Sequence, residues 1–167
     1  MLVLALSLAV AAIASATTLP PPEPATAPTP GSLSGDYEDE GLIAQGAAAD
    51  FPGGVSLGAL LSAEFEPALV RKLHAQIAKV RLQQGESLLK AWVYDHDGAV
   101  LRQGRWNRDA QSPGRDYLYF RINDEQVVLI LETAGEGRML KVTLQRSAAT
   151  ALGPAFRTVG IFLFHRL

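Results

Sequence analysis

A chain of 167 residues, 48% hydrophobic and 19% charged, is globular in type and long enough for one domain with a real core. It has no cysteine, which excludes disulfide staples, thiolate metal sites and cysteine nucleophiles. The formal net charge of −2 hides an asymmetry: residues 1–50 hold six acids and no Lys or Arg, while residues 51–167 hold all fifteen Lys and Arg against eleven acids. A basic body joined to an acidic tail predicts either association of tail with body or an anionic partner for the body. The excess is too small to point to nucleic acid.

Residues 2–16 form an uncharged apolar run ending in Ala14-Ser15-Ala16, the small-x-small pattern of an export signal, whose cleavage would leave Thr17 first. The rival reading is a membrane anchor over residues 1–19, close to the ~20 apolar residues a spanning helix needs. Both readings predict an extracytoplasmic body, with membrane contact only if this segment is retained; the third reading is an apolar N-terminus of a cytoplasmic chain. Residues 19–30, LPPPEPATAPTP, hold six of the ten prolines and read as an extended spacer. An acidic run follows, with Asp36, Glu38, Asp39 and Glu40 around Tyr37, and reads as solvated. The predicted organisation is a signal or anchor over 1–16, a linker over 17–50 and one domain over 51–167.

Gly54-Val55-Ser56-Leu57-Gly58 fits the G-x-S-x-G pattern of a hydrolase nucleophile elbow, and Asp124 and His165 follow in the order a triad requires. An elbow needs a buried strand before the serine, and AQGAAADFPGG offers none. Ser56 therefore reads as the cap of a short helix, and the chain as non-enzymatic. Pro67 then suits the first turn of a helix running to about Gln84, with Leu69, Val70, Leu73, Ile77 and Val80 at three- and four-residue spacing. His74 borders its apolar face and reads as a packed structural residue.

Strands are predicted over residues 88–94 and 99–102 around the turn Asp95-His96-Asp97-Gly98. Asp95 and Asp97 match the opening of a calcium loop, but Ala99 and Trp106 occupy its fifth and twelfth positions, so no metal and no cofactor is expected. Residues 117–122 and 139–145 alternate, whereas 127–131 and 159–164 are continuous apolar runs that read as central strands. The fold predicted is α+β, one long amphipathic helix on a five- or six-stranded antiparallel meander, with a β-sandwich bearing a covering helix as the alternative.

The segment RQGRWNRDAQSPGR reads as a loop placing Arg102, Arg105, Arg108 and Arg115 around Trp106. Guanidinium forks match carboxylate or phosphate oxygens, and the ring offers a stacking face, so these five residues are the candidate ligand or partner site. The bland reading pairs the arginines with Asp109 and Asp116. Lys90, Trp92 and Tyr94, and likewise Tyr117, Tyr119 and Arg121, would each share one strand face. The function predicted is an exported binding or assembly module contacting a protein or an anionic surface polymer. The order of helix, strand, D-x-D-G turn and strand over residues 67–105 resembles part of PAS-like sensor domains, which implies the alternative of an extracytoplasmic small-ligand sensor. A hydrolase stands third.

Overall fold

The computed structural model describes Pro21 and residues 31–46, 48–108, 114–122, 124–150 and 153–167. The export or anchor segment and nearly all of the proline spacer lie outside them. Among the described residues the chain forms nine strands and two short helices: β1 (Gly35–Tyr37), β2 (Leu42–Gln45), α1 (Leu57–Leu61), α2 (Pro67–His74), β3 (Ile77–Gln84), β4 (Leu88–Asp95), β5 (Val100–Asn107), β6 (Arg115–Ile122), β7 (Glu125–Ala134), β8 (Met139–Thr150) and β9 (Gly153–His165). One sheet has the order β1-β3-β4-β5 and the other β2-β9-β8-β7-β6, with every pairing antiparallel. A single apolar core draws Val80, Leu82, Leu89 and Val93 from the first sheet and Leu118, Leu129, Val142, Leu144 and Phe162 from the second.

This corrects the α+β reading. The long helix over residues 67–84 does not exist, so it packs on no meander, covers no sandwich edge, and cannot carry the PAS-like order. Pro67 does begin a helix, but α2 ends after eight residues at His74, and Ile77–Gln84 is a strand between β1 and β4. The misleading signal has a definite cause. A register shift between Ile77 and Lys79 inserts an extra residue into β3, so that Ile77, Val80 and Leu82 are all buried at spacings of three and then two. A bulged strand thus imitated a helical repeat.

The acidic stretch taken for linker is also built into the body. Leu33 and Tyr37 are completely buried, β1 extends the first sheet and β2 the second. Tyr37 donates its hydroxyl proton to the Leu33 carbonyl at 2.9 Å, and Arg166 donates to the Tyr37 hydroxyl at 2.8 Å and to the carbonyls of Ser32 and Ser34. Burial pushes the Tyr37 hydroxyl above its ordinary pKa, against the opposing pull of Arg166. Backbone bonds from Glu38 to His165 and from Leu167 to Asp36, both 2.9 Å, fasten this segment to the other end of the chain.

The continuous apolar runs do form interior strands. Within β7, Val127, Val128, Leu129 and Leu131 are buried on both faces, and β9 lies between β8 and β2. The Asp95 turn is the expected hairpin: Gly98 has φ +81°, and the Asp95 carboxylate accepts the amides of Asp97 and Ala99 at 3.0 and 2.7 Å.

Candidate functional site

Four of the five candidate site residues lie on strands rather than in a loop: Arg102, Arg105 and Trp106 on β5, and Arg115 at the start of β6. β5 is the outermost strand of its sheet, with no partner beyond it among the described residues, and it is exposed along nearly its whole length. Its register on β4 is continuous from Leu88↔Asn107 to Val93↔Arg102. Opposite residues of an antiparallel pair share a face. Arg102, Gly104 and Trp106 therefore stand on the side of Val93, Ala91 and Leu89, which is the core side, while Gln103 and Arg105 stand with Trp92 and Lys90 on the outer side.

On the core side this edge is not filled. Trp106 packs partly into the core and meets Phe120 of the other sheet edge-on, with centroids 6.3 Å apart and planes at 69°. Its indole lies over Gly104 so closely that a Cβ there would stand 2.4 Å from a ring carbon. Glycine is what allows the ring to fold back along its own strand. A groove of about 420 Å³ remains, floored by Ala91 and Val93, walled by Leu61 and Ser62 at the end of α1, and rimmed by Arg102, Arg105 and Trp106.

Among the described residues no carboxylate compensates the charge along this edge. Lys90 and Arg105 stand opposite one another on adjacent strands, a like-charge pairing that costs stability. Among the described residues neither they nor Arg102 meets a carboxylate within salt-bridge distance. The other arginines of the predicted cluster are committed elsewhere. Arg108 Nε donates to both oxygens of Asp116 at 2.8 and 3.0 Å, and its guanidinium also reaches the Gly85 carbonyl. Asp116, 1% exposed, further accepts from Gln84 Nε2 at 2.9 Å, so this cluster ties the first sheet to β6. Arg115 pairs with Glu132, which also receives Lys141 at 2.8 Å. Burial acts to raise the Glu132 pKa, but the hydrogen bonds from Lys141 and Arg115 outweigh it and hold the carboxyl below its ordinary value. The pairing of Arg108 with Asp116 is the bland reading realised at one position; Asp109 lies outside the described residues.

The aromatic faces divide as well. Trp92 is 2% exposed, and Lys79 and Arg81 lie over the Tyr94 ring at 5.6 and 5.9 Å, so the outer face of β4 is largely occupied by the protein's own side chains. Tyr117 and Tyr119 stack with centroids 6.5 Å apart, and Tyr119 is 69% exposed.

Ser56 is an N-cap. Its backbone is extended at φ −111° and ψ 125°, its hydroxyl donates to Asp39 Oδ1 at 2.9 Å, and it accepts the Ala59 amide at 3.1 Å. An elbow serine needs strained backbone, an exposed Oγ and a histidine to take its proton. Ser56 is 1% exposed and gives its proton to a carboxylate. Asp39, 4% exposed, also accepts the Gly58 amide at 2.8 Å, and its second oxygen meets His74 Nδ1 at 2.8 Å. This network joins the acidic segment to α1 and α2. Asp124 lies in the β6–β7 turn and His165 ends β9 on an exposed position, and neither is hydrogen-bonded to Ser56. Among the described residues no group of three or more His, Asp or Glu is arranged to hold a metal ion, and no described helix is long and apolar enough to cross a membrane.

The sequence grouped Lys90 with Trp92 and Tyr94 on one strand face but did not bring it opposite Arg105, and it did not single out Asp39 and Asp116 as buried anchors. Nothing in the composition of an acidic run distinguishes the one carboxylate that will be buried. Comparison with protein-family models, curated proteins and solved structures finds no match to this chain.

Proposed function

We propose that the chain is an exported, non-enzymatic binding module that takes an anionic protein or polymer at the groove along β5. The observation that carries this reading is the basic edge, without a counter-charge among the described residues: Arg102 and Arg105 rim a Trp-walled groove with an apolar floor, and Lys90 stands beside Arg105 on the outer face, while Arg81, Arg108 and Arg115 each have a carboxylate. Cations without counter-charge among the described residues favour a partner that brings it, and a guanidinium group beside an apolar floor suits a carboxylate on an extended or amphipathic chain. The export component rests on residues 2–16 alone.

A groove of about 420 Å³ also falls within the range of small-molecule sites, which supports the small-ligand sensor as a second reading. Titration with poly-glutamate and with succinate separates the two. Salt-sensitive binding of the polymer, lost in an Arg102→Glu, Arg105→Glu double variant that keeps its fold, supports the binding module. A rise in Tm with succinate alone supports the sensor. Indifference to both probes refutes the anionic site.

A further inference from the structure

We infer that the partner binds by strand addition: an extended acidic segment of another protein pairs with the free edge of β5, with carboxylates three residues apart. The inference rests on the anionic-site reading above and adds the backbone to it. The phase of the β4–β5 ladder shows which groups are available. Arg108 N–H donates to the Ser87 carbonyl at 2.9 Å, one step beyond the Leu88↔Asn107 pair. In an antiparallel ladder every second residue turns both backbone groups to its partner. Arg102, Gly104 and Trp106 therefore face β4, and Gln103, Arg105 and Asn107 turn theirs outward, where among the described residues no strand receives them.

Unpaired edges invite strand addition, and natural proteins commonly block them with prolines, bulges or short strands. β5 has eight residues and no proline, and past one register shift at its hairpin end, between Val100 and Arg102, its register is regular to Asn107. The charges it carries, Arg102 and Arg105, blunt pairing with a neutral or basic strand but match an acidic one. Its two arginines lie on opposite faces, Arg102 on the groove side and Arg105 on the outer side beside Lys90. A partner strand alternates faces in the same way. It can satisfy both only with acids separated by an odd number of residues, and three is the separation of Arg102 and Arg105 themselves. The position that meets Gly104 turns toward the groove, where an apolar side chain reaches Ala91, Val93 and Trp106.

The same sheet already contains such a docking at its other edge. The acidic strand β1 pairs antiparallel with β3, and Asp36, in register with Arg81, accepts from Arg81 and from Lys79 at 2.8 Å each. A second copy of the chain would instead bring a second set of Lys90, Arg102 and Arg105 to one edge without an acid, which disfavours self-pairing through β5.

The test titrates the full chain with an end-capped octapeptide of valine and threonine bearing glutamate at its third and sixth positions. Binding should weaken about tenfold or more when the glutamates move to the third and fifth positions, and likewise for Gln103→Pro, which removes one outward amide while leaving the β4 ladder intact. N-methylating the peptide amides gives the same readout without altering the protein. Peptide binding that is lost in Arg105→Glu yet indifferent to Gln103→Pro and to N-methylation would overturn strand addition while leaving the anionic site standing. Failure of this peptide and of poly-glutamate together would overturn both. A dimer that Gln103→Pro converts to monomer would identify a second copy as the occupant and refute the acidic partner.

Discussion

The two edges of the four-stranded sheet carry similar chemistry and have opposite fates. At one, Lys79 and Arg81 of β3 receive Asp36 from β1, and the Arg81 hydrogen bond, opposed by burial and aided by Lys79, holds the Asp36 carboxyl below its ordinary pKa. At the other, Lys90, Arg102 and Arg105 receive nothing from the described chain. A basic strand covered by an acidic one is a structural element. The same strand left uncovered holds charge in a costly arrangement, and such an arrangement suits a partner better than it suits the fold.

Breaking the covered edge should have the largest effect. Tyr37 is completely buried, so Tyr37→Ala should cost about 3–5 kcal/mol by analogy with other buried aromatic truncations, read by urea unfolding. Asp36→Asn should cost less, about 1.5–3 kcal/mol for weakened charge-assisted hydrogen bonds to half-buried cations. The pH dependence has a fixed sign. The folded pKa of Asp36 is depressed, so its contribution is present above the ordinary value of 3.8 and is lost as pH falls from there through the folded pKa. Stability of the Asp36→Asn variant should therefore fall less over that acid range than stability of the parent, and a flat difference between them would remove this edge from the pH response.

At the uncovered edge, Gly104→Val should cost about 1–3 kcal/mol, because its Cβ displaces the Trp106 ring, and tryptophan fluorescence should report the movement. The smallest effect is the most diagnostic. Arg105→Glu turns a like-charge pair with Lys90 into an opposite-charge one and should stabilise the fold by about 0.2–1 kcal/mol while abolishing binding of the acidic probe. A residue whose reversal strengthens the fold and destroys binding is kept for the partner. Arg105→Glu that destabilises the fold would mean the rim is structural and the two edges are alike.

Several features of this comparison were legible in the residues themselves. Pro67 opening a helix, the Asp95 hairpin, and the continuous apolar strands β7 and β9 each depend on local pattern or turn chemistry. The long helix failed because the bulge near Ile77 gave a strand the spacing of a helix, and in a packed body burial across two sheets outweighs local propensity. The acidic segment failed for a related reason. Asp36 and Asp39 look alike in sequence, yet one meets two cations at a sheet edge and the other is buried under α1 and α2 against Ser56 and His74.

What the sequence by itself determined about this protein is its local inventory: an apolar N-terminal run, a proline-rich stretch, an excess of acids before residue 51 and of bases after it, and where most chain reversals fall. Only the tertiary structure decided which charges meet. Arg108 and Arg105 are three residues apart on one stretch of chain, but Arg108 reaches the buried Asp116 whereas Arg105 stands beside Lys90. The energy of a charge depends on what long-range pairing brings within a few ångströms of it, and that pairing is set by the register of strands distant in sequence.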